Sequence, residues 1–392
     1  MKNLKNHNIK NKKILFRADL NVPVVDGIIT DTSRIKAIKS SIEILTSNKN
    51  KIFLLAHFGR PNGEVVEKYS LNFILSSLKD ILNLDKIYFL EKFDQESVEK
   101  KINEMQLGNL CLVENIRFLK EEEKIDLNFA NKMSSFFDVY VNDAFSASHR
   151  NHTSITGFPK FLPAVAGNHM IKEIDSINSF LDNAKKPNMA IVGGSKISTK
   201  IGIIKNLIPK FDNIIIVGGM ANNILSYKGN SIGKSIKEEN CKNIIDEIFE
   251  TSKNQSCTIT YPEDVLVGKN MDDKSQIKEL KDIADDDLIL DIGPKTINKI
   301  RNIIENSETV LWNGPAGYFE NPNFAQGSYE IAKSIIKKNK DKLIYSVVGG
   351  GDTIALINQI NLIKDFNFVS TAGGAFLEYL EGKELPGIKA LK

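Results

Sequence analysis

Arginine is scarce in this chain of 392 residues, and its placement points to the binding of anions. Lysine is the usual cation, yet five of the six arginines fall within the first 150 residues: Arg17, Arg34, Arg60, Arg117 and Arg150. A guanidinium is a planar fork that donates two parallel hydrogen bonds to a carboxylate or phosphate, which an ammonium cannot do. The first part of the chain therefore predicts a site for such an anion, with structural ion pairing as the alternative for any single arginine.

Clusters of glycine show the opposite bias. They all lie in the second half of the chain, at Gly193-Gly194, Gly218-Gly219, Gly349-Gly350-Gly351 and Gly373-Gly374, and each follows an apolar, strand-like run. Glycines at such positions let the backbone approach a phosphate closely, and a helix that begins there directs its amide dipoles at the anion. The second half therefore predicts a nucleotide-type phosphate site, whereas a single pair of glycines would indicate only a tight turn.

An α/β fold would position both sets of residues. Short runs rich in β-branched residues alternate with longer amphipathic stretches, and the runs cover 51–56, 109–113, 138–141, 189–192, 213–217 and 343–348. Continuous apolar runs of this length are typical of strands buried on both faces, with the stretches between them as crossover helices. The pattern predicts parallel sheets in two halves, a boundary near residues 165–190, and a connecting helix over Met170–Leu181.

Composition limits the class of protein. The net charge of +3 is nearly balanced, which argues against a strong nucleic-acid or membrane field. Cys111, Cys241 and Cys257 lie far apart and form no paired motif, which favours a reducing compartment. The apolar stretch near the amino terminus is too short for a signal peptide, and no run reaches the roughly eighteen apolar residues of a spanning helix. These features predict a soluble cytoplasmic protein with small-molecule partners and with no nucleic-acid or membrane partner.

Three common sequence motifs were considered, and none of them supports a function for this chain. The stretch Gly229–Ser235 has three residues between its glycines where a Walker A loop needs four. The fingerprint GxGxxG is absent from the sequence, which weakens an ordinary dinucleotide-binding interpretation. The pair His149 and His152 has no carboxylate at metal spacing beside it, so a zinc site is not predicted.

Ordered motifs along the whole chain closely resemble those of the phosphoglycerate kinase family. In the first half they are Arg17-Ala-Asp19-Leu-Asn21-Val-Pro23, Thr30-Asp31-x-x-Arg34-Ile35, His57-Phe-Gly59-Arg60-Pro61, Glu114-Asn115-x-Arg117-Phe118 and His149-Arg150-x-His152. In the second half they are Gly193-Gly-Ser-Lys196-x-x-x-Lys200, Gly218-Gly219-Met220-Ala221, Trp312-Asn313-Gly314-Pro315-x-Gly317-x-x-Glu320, Gly349-Gly-Gly-Asp352-Thr353, Ser370-Thr371-Ala-Gly373-Gly374 and Leu385-Pro386-Gly387.

This resemblance implies a monomer with two doubly wound, Rossmann-like parallel-sheet domains facing a central cleft. Residues 1–168 with 378–392 would bind 3-phosphoglycerate, residues 169–182 would form the interdomain helix, and residues 183–377 would bind Mg-ATP or Mg-ADP. The implied reaction is reversible phosphoryl transfer between ATP and the carboxylate of 3-phosphoglycerate, as used in glycolysis, with domain closure and without a general base.

The resemblance also assigns the acceptor residues. Arg34 would bridge the reacting carboxylate and phosphoryl oxygens, and Asp19 and Asn21 would orient the hydroxyl and carboxylate end of the acceptor. The residues that would hold the acceptor's own phosphate are His57, Arg60, Arg117 and Arg150. From the residues alone, the favoured interpretation of Asp19 and Asn21 is a pair of turn formers before a proline, and Arg17 is expected to make a structural ion pair.

In the second half, the resemblance makes Lys196 the catalytic lysine, with Lys200 on the same helical face at the nucleotide phosphates. Asp352 would bind the nucleotide's Mg²⁺, with a helix N-cap as its other role. Gly373 would offer a backbone amide to the transferring group. The further nucleotide-binding residues would be Gly194, Ser195, Gly218, Gly219, Asn313, Pro315, Glu320, Gly349, Gly350, Gly351 and Thr353. Trp312, the single tryptophan, is expected in the core.

Two alternatives remain at this stage. A dehydrogenase of similar two-domain shape is disfavoured by the missing GxGxxG, and a catalytically silent protein on the same scaffold is disfavoured by intact Arg34, Lys196 and Asp352. The sequence departs from the family's usual pattern at Ser195, Thr199 and Ala372. The last departure puts one backbone conformation in question, because alanine tolerates positive φ poorly.

Overall fold

The runs predicted as buried strands form two parallel sheets, one in each of two units of the chain. The computed structural model describes residues 1–4 and 6–392. One unit comprises Met1–Asp175 with Glu384–Lys392, and the other comprises Ser176–Lys383. The α/β class predicted from the sequence is thereby confirmed in both units.

In the first unit, eight strands are found among the described residues: β1 Lys13–Arg17, β2 Val24–Val25, β3 Ile28–Ile29, β4 Lys51–Leu55, β5 Ile87–Leu90, β6 Leu110–Val113, β7 Val139–Asn142 and β8 Ala164–Ala166. Six of them form a parallel sheet in the order β5-β6-β4-β1-β7-β8, and β2 and β3 form a small antiparallel hairpin. The helices of this unit are Ser33–Ser47, Leu75–Leu82, Gln95–Glu104, Leu127–Ser134 and Pro386–Lys389.

The core of this sheet explains why its strands have no polar alternation. Leu15 and Phe16 are neighbours in β1 and are both fully buried, so both faces of the strand are covered. Helix Ser33–Ser47 covers one face with Ile35, Ile38 and its other buried residues, which recur at helical spacing. The strand order reverses at β1, the point at which a sheet of this kind opens a crevice at the carboxyl ends of its strands.

In the second unit, the strands are β9 Asn188–Val192, β10 Asn213–Ile216, β11 Thr258–Thr260, β12 Asp264–Gly268, β13 Gln276–Glu279, β14 Leu288–Ile292, β15 Thr309–Asn313, β16 Tyr345–Gly349 and β17 Phe368–Ser370. A parallel sheet has the order β11-β10-β9-β15-β16-β17, and β13-β12-β14 form an antiparallel sheet. The helices of this unit are Ile201–Leu207, Ala221–Tyr227, Lys242–Asn254, Pro294–Glu305, Gln326–Lys340, Gly351–Gln359 and Gly374–Leu380. Trp312 is fully buried in the core, as predicted.

The two units are joined within helix Asn168–Asn183, close to the predicted connecting helix. The chain returns to the first unit at Glu384, a few residues after the position 378 that the resemblance implies. The reason is that helix Gly374–Leu380 belongs to the second unit, where the side-chain amide of Asn206 donates to the carbonyl of Leu380 at 2.7 Å. Within the described residues, no helix combines the length and the apolar character needed to cross a membrane.

Candidate functional site

In the first unit, the predicted acceptor residues emerge from the carboxyl ends of neighbouring strands. Strands β1 and β4 are paired in parallel, with Arg17 opposite Leu55 at their ends. Asp19 follows β1 by two residues and His57 follows β4 by two residues, so matching register brings both side chains to the same edge of the sheet. Both are buried.

Asp19 and Arg34 form an ion pair, in which the guanidinium of Arg34 donates to Oδ2 of Asp19. The hydroxyl of Ser146 donates to the same oxygen, and the backbone N–H of Asn21 donates to Oδ1 at 2.9 Å. The Asn21 amide oxygen in turn accepts from the backbone N–H of Gly59 at 3.0 Å. These contacts fix Arg34, which is still a quarter exposed, at the edge of the sheet.

Arg117 lies in the short turn Ile116–Phe118 that follows β6, and it is almost fully buried. Its Nη1 donates to the carbonyl of Gly59 at 2.7 Å, and its Nε lies 3.5 Å from Oε1 of Glu123. Burial, followed by the charges of Arg150 and Arg17, lowers the pKa of Arg117 to about 10. The group is therefore still cationic at neutral pH.

The charges of four guanidinium groups act on the imidazole of His57. Burial, followed by the charges of Arg17, Arg117, Arg34 and Arg150, holds the pKa of His57 well below its usual value. The imidazole is therefore neutral at neutral pH, a form in which one ring nitrogen donates a hydrogen bond and the other accepts one. This arrangement can bind a phosphate or carboxylate, whose charge offsets the mutual repulsion of the guanidinium groups.

The remaining predicted arginines differ in their surroundings. Arg150 is partly buried, and its charge acts on His57, Arg117 and Arg17. Arg60 is exposed and makes no hydrogen bond or ion pair with any described side chain. The structure thus brings Arg150 electrostatically to the cluster and leaves Arg60 on the surface after Gly59.

Arg17 is fully buried, and its surroundings refine the predicted ion pair. Its Nε donates to the hydroxyl of Ser154 at 2.9 Å, and that hydroxyl donates to Oε1 of Glu122 at 2.6 Å. The carboxylate that balances Arg17 is therefore reached through a serine. Sequence reasoning missed Glu122, Ser146 and Ser154: the acidic run Glu121–Glu123 looks like a solvated surface, and no spacing signal marks the two serines.

In the second unit, close backbone contact between neighbouring strand ends creates the glycine-rich region. The N–H of Gly193, after β9, donates to the carbonyl of Asn313 at the end of β15 at 2.7 Å. A Cβ atom on Gly193 would lie 2.3 Å from the carbonyl oxygen of Pro315, which is closer than any side chain allows. Glycine is required here because the two loops touch through their backbones.

A cavity of about 260 Å³ opens beside these loops. The predicted nucleotide residues that line it are Gly194, Ser195, Gly218, Gly219, Pro315, Glu320 and Asp352. Its opposite wall comes from Ile236 and from Val265, Leu288 and Asp291 of the antiparallel sheet, none of which the sequence analysis predicted. The lining is mostly apolar and includes the carboxyl groups of Asp291, Glu320 and Asp352, which suits a flat aromatic base and a ribose.

Lys200 and Asn313 are joined at the adjoining strand ends. The Lys200 ammonium donates to the side-chain oxygen of Asn313, whose amide donates to the carbonyl of Gly349 at 2.7 Å. The Thr353 hydroxyl accepts from the backbone N–H of Gly314 at 2.7 Å. Burial lowers the pKa of Lys200. These contacts hold the ends of β15 and β16 and the following helix together.

Two predictions about helix geometry are wrong. Lys196 and Lys200 do not share a helical face, because the helix begins only at Ile201. The carboxylate of Glu238 accepts from the backbone N–H and the hydroxyl of Ser198, which holds the preceding segment in a turn. Asp352 is not an N-cap, since helix Gly351–Gln359 is capped by Gly350 and Asp352 lies in its first turn.

Gly373 occupies the helix amino terminus that the sequence predicts, as the N-cap of helix Gly374–Leu380. Its φ of 54° is the left-handed value that glycine tolerates. Ala372, which replaces a common glycine, is not among the residues with positive φ. The departure at Ala372 therefore costs no backbone strain.

Comparison with known proteins gives one consistent result. A family model described as phosphoglycerate kinase matches residues 4–383. The phosphoglycerate kinase of Rhizobium meliloti is 42% identical over 386 residues, covering 98% of this chain and 96% of the relative, and that of Wolbachia pipientis is 41% identical over 391 residues, covering 99% and 98%. The solved structure of phosphoglycerate kinase from Coxiella burnetii is similar with a TM-score of 0.88 at 36% identity, covering 99% of this chain and 97% of that one.

Proposed function

Because the chain belongs to the phosphoglycerate kinase family, we propose that its first unit binds 3-phosphoglycerate and its second unit binds the nucleotide. The chain is a kinase that transfers a phosphoryl group reversibly between ATP and 3-phosphoglycerate. The observation that carries the assignment of the acceptor is the convergence of four guanidinium charges on one neutral histidine, His57. Such a cluster attracts a doubly charged phosphate.

The acceptor needs no general base, because a carboxylate is already ionised at neutral pH. One of its oxygens attacks the terminal phosphorus of ATP, a new P–O bond forms, and the bond to the bridging oxygen breaks with its electron pair leaving on ADP. Three negatively charged groups meet in this step, so catalysis consists of positioning and charge stabilisation. We assign that work to Arg34, which Asp19 holds in place, and to the exposed ammonium of Lys196.

The nucleotide would lie in the cavity lined by Gly218, Gly219 and Pro315, with Glu320 at the ribose. Lys200, Asn313 and Thr353 adjoin that cavity at the strand ends and would contact the phosphates. The backbone amides at Gly350, Gly351 and Gly373 lie at helix amino termini, where an anion is stabilised.

The residues of the cavity also fit the nucleotide's Mg²⁺. Asp352 lines the cavity and is exposed, and its carboxylate makes no hydrogen bond or ion pair with a described residue. Mg²⁺ commonly takes one or two carboxylates together with phosphate oxygens and water, so Asp352 alone suffices. When bound, the ion would neutralise charge on the nucleotide's phosphates.

We keep the functional domains that the family implies as our proposal. They are an acceptor domain of residues 1–168 with 378–392, an interdomain helix of residues 169–182 and a nucleotide domain of residues 183–377. Because the phosphoryl group passes directly from one ligand to the other, we propose that the domains close during turnover, which also excludes water. We further propose a cytoplasmic monomer whose partners are small molecules. The near balance of charge and three buried, unpaired cysteines among the described residues support that proposal.

An activity assay with each component omitted in turn tests this function. Turnover should require 3-phosphoglycerate, ATP and Mg²⁺ together, and nucleotide binding without turnover would instead favour a silent scaffold. Asp352→Ala should raise the Mg²⁺ concentration at half-maximal rate by about tenfold or more, since it removes the metal's protein ligand. Asp341→Asn, which neutralises an exposed carboxylate at the end of helix Gln326–Lys340, is the control and should leave that concentration unchanged.

A further inference from the structure

A buried carboxylate lies next to the arginine cluster of the first unit. Glu122 is only 1% exposed, and both of its oxygens accept hydrogen bonds from Ser154, from the backbone N–H at 2.8 Å and from the hydroxyl at 2.6 Å. Nδ1 of His152 lies 3.5 Å from Oε1. A carboxylate is rarely buried so fully unless its charge is compensated, and the compensating charge here is that of Arg17.

The link between Glu122 and Arg17 has a defined direction. A serine hydroxyl has one proton to donate and lone pairs to accept. Nε of Arg17 donates to the Ser154 hydroxyl at 2.9 Å, so the proton of that hydroxyl is directed at Glu122. The carbonyl of Ser154 accepts from the buried Tyr140 hydroxyl at 2.6 Å, which fixes the serine from its other side. Arg17 is therefore held by a series of two hydrogen bonds, through the Ser154 hydroxyl, that ends on Glu122.

The other end of Arg17 determines the protonation of His57. Nη2 of Arg17 lies 3.1 Å from Nδ1 of His57. A guanidinium has only donors, so Nδ1 must accept. In a neutral imidazole the one ring proton then lies on Nε2. The neutral form is favoured because burial, followed by the charge of Arg17 and those of the other arginines, lowers the pKa of His57.

We propose that Glu122 is a positioning residue of the acceptor phosphate site: acting through Ser154, it holds Arg17 in the orientation that keeps the proton of His57 on Nε2, as a donor to phosphate. This inference rests on the proposed function, in which His57 binds the acceptor's phosphate. It gives Arg17 a role in the site without any contact to substrate.

The electrostatic balance supports this arrangement. Burial alone raises the pKa of Glu122, but the hydrogen bond from His152, the charge of Arg17 and the hydrogen bond from Ser154 outweigh burial and leave that pKa below its usual value. Burial lowers the pKa of Arg17, and the charge of Glu122 opposes that shift. The other titratable groups that face this pair are Tyr140, Arg117 and Arg150. Without Glu122, Arg17 would be a buried cation whose charge is no longer balanced, which is unfavourable.

The test is Glu122→Gln, which keeps the shape of the side chain and removes its charge. We expect KM for 3-phosphoglycerate to rise by about tenfold, equivalent to about 1.4 kcal/mol, while kcat and KM for ATP change by less than about twofold. The ¹⁵N NMR signals of the His57 ring should lose the pattern of a neutral ring protonated on Nε2. Glu121→Gln removes the same charge from the adjacent position and should change none of these values. An unchanged KM and an unchanged His57 spectrum in Glu122→Gln would overturn the inference.

A second variant covers the case in which Glu122→Gln does not fold. Ser154→Ala removes the hydroxyl that links Arg17 to Glu122 while leaving both charges in place. We expect the same change of the His57 spectrum with a smaller rise in KM for 3-phosphoglycerate. A spectrum identical to that of the parent protein would overturn the inference. Arg60→Ala distinguishes failure of this inference from failure of the proposed function. If Arg60→Ala raises KM for 3-phosphoglycerate and Glu122→Gln does not, only the inference about Glu122 fails. If neither variant changes KM for 3-phosphoglycerate, the proposed acceptor site itself is contradicted.

Discussion

Lys196 is the side chain whose proposed role depends most on the transition state. It is exposed in the segment after Gly193-Gly194, and its ammonium makes no hydrogen bond or ion pair with a described residue. We predict that Lys196→Ala lowers kcat by about 100-fold or more, as removal of a donor to developing charge does, with a much smaller change in nucleotide affinity. Steady-state kinetics and nucleotide titration measure the two effects.

The control for this variant is Lys205→Ala, which removes another exposed lysine, paired with Glu247, from the same unit. It should leave kcat unchanged. Equal losses of kcat and nucleotide affinity in Lys196→Ala would mean that Lys196 binds the ground state and the transition state alike.

Asp143 should make the stability of the protein depend on pH. It is fully buried, accepts from Ser41 and from the N–H of Met170, and burial outweighs these hydrogen bonds and raises its pKa to about 7. A folded-state pKa above the unfolded one means that folding favours the protonated form. The contribution of Asp143 is therefore complete below about pH 4 and declines as the pH rises through about 7, by up to about 4 kcal/mol.

Asp143→Asn tests this, since an amide can donate to the Ser41 hydroxyl and accept from Met170 without ionising. Free energies of unfolding from urea titrations at about pH 5 and about pH 8 should differ less in the variant than in the parent protein. Asp138→Asn serves as the control, because Asp138 is half-buried and lies just before β7, the strand that Asp143 follows. If Asp143→Asn left the difference unchanged, Asp143 would be ionised in the fold at both pH values.

At the residue scale, sequence reasoning identified the residues that belong to recognisable motifs and missed those whose role depends on their being buried. Arg34, His57 and Arg117 carry motifs, and the structure brings them to one sheet edge. Glu122 and Ser146 have no such mark. Whether a carboxylate is solvated or buried depends on residues distant in sequence, such as Ser154, and no local pattern encodes that.

Among the elements, the paired strand ends β9 and β15 depend most on one small residue. Gly193→Ala would place a methyl group against the backbone of Gly314 and Pro315, which cannot move as a side-chain tip can. We predict a loss of about 2 kcal/mol or more in the free energy of unfolding and a raised KM for ATP, because the loops that line the cavity would separate. Chemical denaturation and steady-state kinetics measure both.

Gly202→Ala is the matched control for that variant. Its added methyl would meet only the flexible end of Glu381, at 3.1 Å, and alanine favours the helix in which it lies. It should keep both parameters close to those of the parent protein. Similar losses in the two variants would indicate that any added methyl group in this unit is harmful, and that close approach of the loops is not the cause.

Element types were more predictable than element ends. Buried runs such as 51–56 and 213–217 correspond to β4 and β10 because a strand covered on both faces has a simple apolar signal. The start of helix Ile201–Leu207 was misjudged, because a hydrogen bond from a distant carboxylate, that of Glu238, holds the preceding turn. The antiparallel sheet of β12, β13 and β14 was not predicted, because β13 and the start of β14 are partly exposed and the buried strand β12 has only three consecutive apolar residues, Val265–Val267.

For the whole molecule, we predict that each substrate protects its own unit from hydrogen exchange. 3-Phosphoglycerate alone should slow exchange near residues 17–21, 57–60 and 115–118, and Mg-ADP alone should slow it near 193–200, 218–221 and 350–353. Mass spectrometry of peptic fragments resolves these segments. Protection of the second set by 3-phosphoglycerate alone would contradict the assignment of the two ligands to the two units.

The most direct test of the central claim is the rate of phosphoryl transfer in Arg34→Ala. Arg301→Ala, which removes the one arginine outside the first 150 residues, is the matched control. Under saturating 3-phosphoglycerate, ATP and Mg²⁺, Arg34→Ala should lose about 100-fold or more in kcat, because the reacting oxygens lose their guanidinium, while Arg301→Ala keeps its rate. Equal rates in the two variants would contradict the claim that the arginine-lined edge of the first unit is where the acceptor reacts.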